Sequence, residues 1–430
     1  MLRRNLTSVP QGNTLFEAII RFKYEKELFL IVGIYSICFI SCNKEIAYVN
    51  DKFADTIVIN TKNVIEAIPI SSLFKKVEFV PLETTDDCLI GEIDKLVIHN
   101  NKFFILDEMT SSLFIFSNKG EFIHKICQVG NGPNEYTELN NFFINKDNNN
   151  LILHGNSKLL FFDLDTYKQT KIENLSLNTQ IAYFDDTFIH FLNNGIWNGN
   201  YNIVAKRNGQ TVYQHLLISK ENVGYTYSND FPFSQPMQNN EVFFAEIFNN
   251  TIYLLNKDSM IVKYYIDFGR DALPKRFFES IPIEERSKRI LNSGYCYFLS
   301  NYYRNEKLFR FNFTHGNKEL SYYNFFDRRE ELIFNGFTDD YYLGVAPFRE
   351  LFVDSTFIVS FHDVNEFING IQYHNKILEN LPEYEKDNSD EKKVFLKEFK
   401  DKHLIYYETL KTLSMKDDED NYVISKWYFD

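Results

Sequence analysis

The chain has 430 residues, of which 44% are hydrophobic and 24% charged, so it can bury a large core and is not a disordered chain. Its formal net charge of −13 repels phosphate backbones, which makes nucleic acid a poor partner. None of the five cysteines forms a C-x-x-C pair, which argues against zinc ribbons, and the 17% of aromatic residues favours strands over helix interiors.

The start of the chain has the pattern of a leader. An uncharged, mostly apolar run at residues 28–41 follows two lysines, and it is short for a spanning helix, which needs roughly 20 residues. Residues 39–42 (FISC) then resemble a lipobox, whose cysteine takes the lipid. We therefore predict a signal segment at residues 1–41, lipidation at Cys42 and a tether at residues 42–56. An uncleaved anchor helix, or a buried helix of the fold, is the alternative.

Internal repeats follow the tether. The clearest unit, residues 93–126, has four short apolar strand patterns separated by Asn- and Gly-containing turns, as an antiparallel meander requires. The pattern recurs to the C-terminus and ends in a strand at residues 422–429. Four-stranded units repeated at roughly 40–50 residues are typical of a propeller. We therefore predict an all-β protein, a six-bladed β-propeller of four-stranded antiparallel blades over residues 57–430.

Two stretches interrupt the repeats. Residues 272–291 and 376–413 lack strand alternation, and their Lys/Glu-rich pattern, with apolar residues three or four positions apart, is typical of helices. We therefore predict two helical insertions, the second of which splits the sixth blade. The last strand should then close the ring by joining strands upstream of that insertion, because an open ring would expose a strand edge.

Two sequence segments resemble those of a known family. Residues 77–85 (VEFVPLETT) look like the opening strand of a six-bladed β-propeller family of bacterial lipoproteins, related to NHL-repeat propellers. Residues 130–136 (GNGPNEY) are similar to the Gly-x-Gly-Pro-x-Glu-Tyr loop of the same family. The likeness covers about residues 57–430. It implies the fold and no activity, and together with the leader it implies an outer-membrane lipoprotein of the cell envelope, periplasmic or surface-exposed.

The loop at residues 130–136 is interpreted as structural. It lacks the Lys-Ser/Thr ending of a phosphate-binding loop and does not open an apolar helix. Glycines permit positive φ, proline fixes a turn, and the two following side chains can hydrogen-bond the crossover between the first two blades. The structural residues of this loop are Gly130, Gly132, Pro133, Glu135 and Tyr136.

Polar residues end the second strands of three successive blades, namely Asp107, His154 and His190. In an antiparallel blade, the loop after the second strand leaves from the same face as the crossover to the next blade. These side chains should therefore share one face. Trp197 and Tyr201 lie in an insertion at the same edge and could stack on a sugar or a peptide. We predict a ligand face from these five residues, with polar strand ends and loop packing as the structural alternative.

The sequence offers no assembled catalytic motif. Its nine histidines include no H-x-H or H-E-x-x-H spacing, and it has no Gly-x-Ser-x-Gly elbow. Asp107, His154 and His190 could bind a metal only if their side chains converged. We therefore predict no metal site and no cofactor, and we assign no catalytic residue.

Two classes of function follow. The first is an exported, lipid-anchored propeller, held at the membrane through Cys42, that binds a glycan, peptide or protein ligand. The second is a propeller enzyme, a lyase or hydrolase acting on a glycan or related polymer at the mouth of the central channel. Histidines, arginines and carboxylates converging at that mouth would favour the enzyme, whereas an aromatic-lined face without them would favour binding. Because no catalytic motif is assembled, we favour the binding module.

Overall fold

A computed structural model describes most of residues 54–430. The exceptions are residues 176–178, 185, 196–199, 221, 225, 227–231, 236–240, 342, 348–349, 355, 385–388 and 418. The predicted leader, Cys42, nearly all of the tether and Trp197 therefore lie outside the described residues. Among the helices of the described part, none has the length and apolar character needed to cross a membrane.

The described strands form six sheets. The N-terminal segment contributes β1 (Asp55–Val58), β2 (Ile65–Pro69) and β3 (Phe74–Pro81). Blade 1 contains β4 (Lys95–His99), β5 (Lys102–Asp107), β6 (Ser112–Ser117) and β7 (Phe122–Ile126). Blade 2 contains β8 (Leu139–Asn145), β9 (Asn150–Gly155), β10 (Lys158–Asp163) and β11 (Gln169–Asn174). Blade 3 contains β12 (Gln180–Phe184), β13 (Thr187–Phe191), β14 (Tyr201–Arg207) and β15 (Gln210–Leu217).

The remaining three blades follow in chain order. Blade 4 contains β16 (Val242–Phe244), β17 (Thr251–Leu255) and β18 (Met260–Asp267). Blade 5 contains β19 (Cys296–Arg304), β20 (Leu308–His315), β21 (Lys318–Phe325) and β22 (Glu330–Thr338). Blade 6 contains β23 (Phe352–Val353), β24 (Phe357–His362) and β25 (Val423–Phe429). The predicted six-bladed β-propeller is confirmed.

The three N-terminal strands complete the outer edges of blades 4, 5 and 6. β1 pairs in parallel with β18, and β2 pairs in parallel with β22, which makes blade 5 five-stranded. β3 pairs antiparallel with β25. Blades 4 and 5 thus depart from a purely antiparallel four-stranded pattern, because their outermost strand arrives from a distant part of the chain instead of through a hairpin.

The last strand closes the ring, as the sequence predicted. β25 lies between β24 and β3, so one sheet joins the two ends of the described chain. The side chain of Asn421, just before β25, fastens this joint. Its Nδ2 donates to the carbonyl oxygens of Glu83 (2.7 Å) and Cys88 (2.8 Å), and its Oδ1 accepts from the amide of Ile90 (2.8 Å).

The helical insertions lie where the sequence placed them, with different bounds. The first contains α1 (Ile283–Leu291), preceded by turns. The second is a pair of helices, α2 (Val364–Tyr384) and α3 (Asp390–Leu413), and it begins directly after β24. Gly370 explains part of the early start, because a Cβ there would lie 2.4 Å from the carbonyl oxygen of Leu343. Glycine has a low helix propensity, which weakens the sequence pattern for a helix here, but it lets the helix lie close to the backbone of Leu343.

The core consists of layers between neighbouring blades. Alternate residues of a strand point to opposite faces of its sheet, so each blade packs on both neighbours. In β5, Phe104 and Leu106 pack against blade 2, whereas Phe103 and Ile105 pack against blade 6. This alternation decides which polar strand ends can meet.

Candidate functional site

A cavity of about 170 Å³ lies on the axis of the propeller. It is lined from every blade by residues of the first strand: Lys95, Phe143, Tyr183, Val242, Tyr302 and Phe352. The first strands of the blades of a propeller surround its central channel. The cavity is therefore a section of that channel, and it combines aromatic rings with a small number of polar groups.

Lys95 forms one polar wall of the cavity. Its Nζ donates to Asn141 Oδ1 at 2.7 Å and to the carbonyl oxygen of Phe142 at 2.9 Å. The same Nζ lies 4.9 Å from the ring centroid of Phe142 and 5.2 Å from that of Phe143. Burial lowers the pKa of Lys95 to about 7. Among the described residues no carboxylate pairs with this ammonium group.

A second polar wall consists of Arg310 and Glu350. Arg310 is fully buried, and its guanidinium forms an ion pair with Glu350. Tyr323 Oη donates to the other carboxylate oxygen of Glu350 at 2.9 Å, and its ring centroid lies 5.0 Å from the Arg310 guanidinium. Burial favours the neutral form of Arg310, yet its pKa is raised, because the negative charge of Glu350 stabilises the cation. The two charges thus neutralise each other inside the protein.

The predicted site residue Asp107 is buried at the end of β5. Its Oδ2 accepts from the amide of Gly91 at 2.7 Å, and its Oδ1 accepts from the amide of Thr110 at 3.1 Å. Because Phe103 and Ile105 on the same side of β5 pack against blade 6, Asp107 also belongs to that side of blade 1. Its carboxylate stabilises a turn and a neighbouring loop.

His154 and His190 lie in the layer between blades 2 and 3. Ile152, on the same side of β9 as His154, packs against Ile181 of blade 3, and Ile181 is the strand partner of His190. His190 Nδ1 lies 2.9 Å from Thr179 Oγ1. Neither ring nitrogen of His154 has a hydrogen-bond partner within the described part of the chain.

Both histidines are held neutral. Burial, followed by the nearby His190 and Lys95, lowers the pKa of His154 to about 3. Burial, followed by Lys206, lowers the pKa of His190 to about 4. The structure thus brings the two imidazoles into one layer and leaves Asp107 on the far side of blade 1. In the portion of the chain that is described, no group of three or more His, Cys, Asp or Glu side chains is placed to hold a metal ion.

His154 and His190 lie on the second strands of their blades, directly opposite first-strand residues that line the cavity. Asn141 is the strand partner of His154, and Ile181 is the strand partner of His190. Asn141 and Ile181 both line the cavity. Tyr201, at the start of β14, is half-buried beside Leu192 and Val204. The assignment of a ligand face to these residues stays a prediction.

The loop at residues 130–136 joins blades 1 and 2. Tyr136 Oη donates to the carbonyl oxygen of Ser111 at 2.9 Å, and Lys158 Nζ donates to those of Gly132 (2.9 Å) and Glu135 (2.8 Å). The glycines serve a different purpose from the expected one, because neither of them takes a positive φ. Instead, a Cβ at Gly130 would lie 2.0 Å from the Glu135 carboxylate, which accepts from the Gly132 amide at 2.7 Å.

The structure also contains a Ser–His–Glu arrangement that no local motif indicates. His362 Nδ1 lies 2.9 Å from Glu366 Oε2, and His362 Nε2 lies 2.8 Å from Ser425 Oγ. Ser425 is fully buried, and its Oγ also accepts from Trp427 Nε1 at 2.8 Å. A substrate cannot reach this serine. The arrangement therefore joins the start of α2 to β25. His362 and Glu366 are four residues apart, but Ser425 is 63 residues from His362, so the three do not form a recognisable sequence motif.

These features define a six-bladed β-propeller with a polar and aromatic cavity on its axis. The chain belongs to the family described as domain of unknown function DUF4934, whose model matches residues 55–424. No curated protein matches it in sequence.

Two solved structures from Bacteroides resemble the chain. One is a candidate exported protein from Bacteroides fragilis, with a TM-score of 0.63 and 15% identity, covering 87% of this chain and 99% of that one. The other is a DUF4221 family member from Bacteroides vulgatus, with a TM-score of 0.40 and 11% identity, covering 61% of this chain and 85% of that one. The first likeness supports the fold.

Proposed function

We propose that this protein is an exported, lipid-anchored binding module of the cell envelope and that it holds a small polar ligand in its central cavity. The observation that carries the proposal is the cavity itself, to which all six blades contribute lining residues. Ligand sites are typically concave and mostly apolar, with a few polar groups that orient the ligand. Asn141 and Gln235 supply amide groups beside the rings of Tyr302 and Phe352.

The size of the cavity favours a small ligand. A cavity of about 150 Å³ is large enough for benzene, and this cavity measures about 170 Å³. A six-membered ring therefore fits, whereas a folded partner could reach only its mouth. Rings that stack on a ligand face and amides that accept and donate hydrogen bonds suit a glycan unit, or the end of a peptide, better than a protein surface. The net charge of −13 also disfavours nucleic acid.

The enzyme alternative has one observation in its favour. Arg310 and Glu350 provide the arginine and the carboxylate that a lyase or hydrolase would need at the channel. However, each is already paired with the other, and no histidine is found among the described residues of the lining. Acid–base chemistry would first require this pair to separate, at a high cost for two buried charges. Binding is therefore the function we propose.

The cavity assignment is tested by ligand screening and one pair of variants. The full-length protein in detergent is applied to glycan and peptide arrays, and the affinity of any ligand found is then measured by calorimetry. Phe352→Ala removes a cavity ring and should weaken binding by about tenfold, because stacking on an aromatic ring contributes on the order of 1 kcal/mol or more. Phe326→Ala removes a ring outside the lining and is the control. Full affinity in Phe352→Ala would place the ligand elsewhere, with the face carrying Tyr201 as the next site to test.

The envelope location is proposed from the leader and from relatives. The apolar run at residues 28–41 and the lipobox-like residues 39–42 support export and lipidation at Cys42, and we propose anchoring in the outer membrane. The B. fragilis structural neighbour is itself named as a candidate exported protein. The relation to NHL-repeat lipoproteins is likewise a proposal, supported by the phrases at residues 77–85 and 130–136. Two or more lipid signals hold a protein firmly at a membrane, whereas one chain does so only marginally.

Lipidation is tested by fractionating cells. Cys42→Ala should move the protein from the membrane fraction to the soluble one. Cys127→Ala removes an exposed free cysteine of the propeller and should leave the distribution unchanged. Membrane retention of Cys42→Ala equal to that of the wild type would exclude anchoring through this residue.

A further inference from the structure

The two cations of the cavity differ in one respect. The charge of Arg310 is compensated by Glu350, and Glu350 also accepts a hydrogen bond from Tyr323. Within the described part of the chain, the partners of Lys95 are all neutral: an amide oxygen, a backbone oxygen and the faces of two rings. An ammonium removed from water without a counter-charge is unfavourable, and buried charges are normally paired. Asp94 and Glu350 also line the cavity, but among the described residues neither carboxylate pairs with the Lys95 ammonium.

The position of this ammonium group is fixed before any ligand arrives. Asn141 Oδ1 and the carbonyl oxygen of Phe142 accept two of its hydrogen bonds and hold Nζ at the cavity wall. An ammonium has three N–H donors, so one is left for a ligand. The chain as a whole has a net charge of −13, so the ammonium group of Lys95 in the central channel is not part of a basic surface.

We infer that the ligand of the central cavity is an acidic sugar of the hexuronate class, whose carboxylate pairs with Lys95 while its ring lies among the aromatic side chains. This inference rests on the proposed binding function and adds the charge of the ligand. A carboxylate at Lys95 would accept the remaining N–H and supply the missing counter-charge. Burial lowers the pKa of the free amine, and a bound carboxylate would restore the charged form.

The ring part of the ligand follows from the other side chains of the lining. Phe143, Tyr302 and Phe352 offer ring faces, and Asn141 and Gln235 offer amide groups that can bond hydroxyls. A simple anion such as acetate would leave these groups unused. A hexuronate uses both kinds of wall, because it joins one carboxylate to a six-membered ring with several hydroxyls.

The test compares matched acidic and neutral sugars on the full-length protein in detergent. Calorimetry is carried out with glucuronate against glucose and with galacturonate against galactose. At least one uronate should bind about tenfold or more tightly than its neutral counterpart, as expected for a charge-assisted hydrogen bond in a partly buried site. Lys95→Met should abolish this preference.

Two further variants control for folding and for charge. Lys119→Met removes an exposed lysine from the turn between β6 and β7 and should change neither affinity. Lys95→Arg retains a cation and should keep a preference for the uronate. Thermal melting of both Lys95 variants shows whether each is folded, so that a loss in Lys95→Met can be assigned to the missing charge.

The outcomes separate the two proposals. Equal binding of uronates and neutral sugars by the wild-type protein overturns the acidic-ligand inference and leaves the binding function in place. Preferred binding of uronates that persists in Lys95→Met also overturns it, because the carboxylate is then recognised elsewhere. If neither kind of sugar binds and the arrays give no ligand sensitive to Phe352→Ala, the binding function of the cavity fails, and the inference fails with it.

Discussion

Blades 1–3 and blades 4–6 are assembled in different ways. Each of the first three blades uses four strands that follow one another in the chain. Each of the last three takes its outermost strand from the N-terminal segment, as β1, β2 or β3. Blades 1–3 therefore consist of strands joined by local connections alone. Blades 4–6 are complete only once the N-terminal segment has joined them, although blade 5 has four consecutive strands of its own and gains β2 as a fifth.

The layer between blades 2 and 3 and the interior of blade 5 also differ in the polar groups they bury. Between blades 2 and 3 lie two histidines that remain neutral, whereas blade 5 buries an arginine that remains charged beside Glu350. The folded protein loses stability when a neutral buried histidine must take up a proton. It also loses stability when the partner of a buried charge is removed. The comparison therefore predicts distinct ways to destabilise each of these two regions.

The largest effect is expected from removing β25. Truncation after Asp417 deletes the strand between β24 and β3 and with it Trp427, which is fully buried and lies 6.0 Å from the ring of Phe74. The protein should fail to form a stable monomer, because both neighbouring strands lose a partner. Size-exclusion chromatography and thermal melting measure this, with truncation after Phe429 as the control. A monomer of the Asp417 truncation that melts at the full-length temperature would show that closure is dispensable.

The next effect is expected from the buried ion pair. Glu350→Gln keeps the shape of the side chain and leaves the Arg310 cation uncompensated, which should cost about 3–5 kcal/mol in the free energy of unfolding. Urea denaturation measures it. Glu279→Gln disrupts a surface ion pair, in which Arg276 is 84% and Glu279 62% exposed. It should have little effect on the free energy of unfolding. Equal losses in the two variants would contradict the contrast between a buried and an exposed pair.

The histidine layer should make stability depend on pH. Burial lowers the pKa of His154 to about 3 and that of His190 to about 4, so the unfolded chain binds protons below about pH 6.5 that the folded protein does not. Their contribution is complete above that pH and decreases as the pH falls. At pH 5 each histidine should cost about 2 kcal/mol. The free energy of unfolding is measured by urea denaturation at pH 7 and at pH 5. The loss between the two pH values should be about 2 kcal/mol smaller in His154→Leu than in the wild type. An identical loss in both proteins contradicts the assignment.

The smallest effect is expected at the crossover between blades 1 and 2. In Gly130→Ala the new methyl group meets the Glu135 carboxylate, and the side chain must move at a cost of about 1–2 kcal/mol. The double variant Gly130→Ala/Glu135→Ala should recover most of this loss, because the clash is gone. Thermal melting of the two single variants and the double variant gives the coupling. Additive losses would mean that the backbone at Gly130, and not the carboxylate, requires glycine.

The candidate site was only partly predictable. The positions of His154 and His190 near the ends of β9 and β13 follow from alternation and turn residues, which are local signals. Their direct strand partners Asn141 and Ile181, which line the cavity, carry no distinguishing motif. Lys95 was not recognised for the same reason, since a lysine opening a strand is normally solvated. Its environment exists only once blades 1 and 2 have packed.

The sequence by itself determined the repeat, the number of blades, the position of both helical insertions and the closing role of the last strand. These follow from the period of apolar residues and from turn chemistry, which act over a few residues. Only the tertiary structure decided that β1 and β2 extend blades 4 and 5, that Arg310 meets Glu350, and that Lys95 pairs with no carboxylate among the described residues. Those results depend on which distant surfaces bury one another, and pairing at long range leaves no periodic trace in the chain.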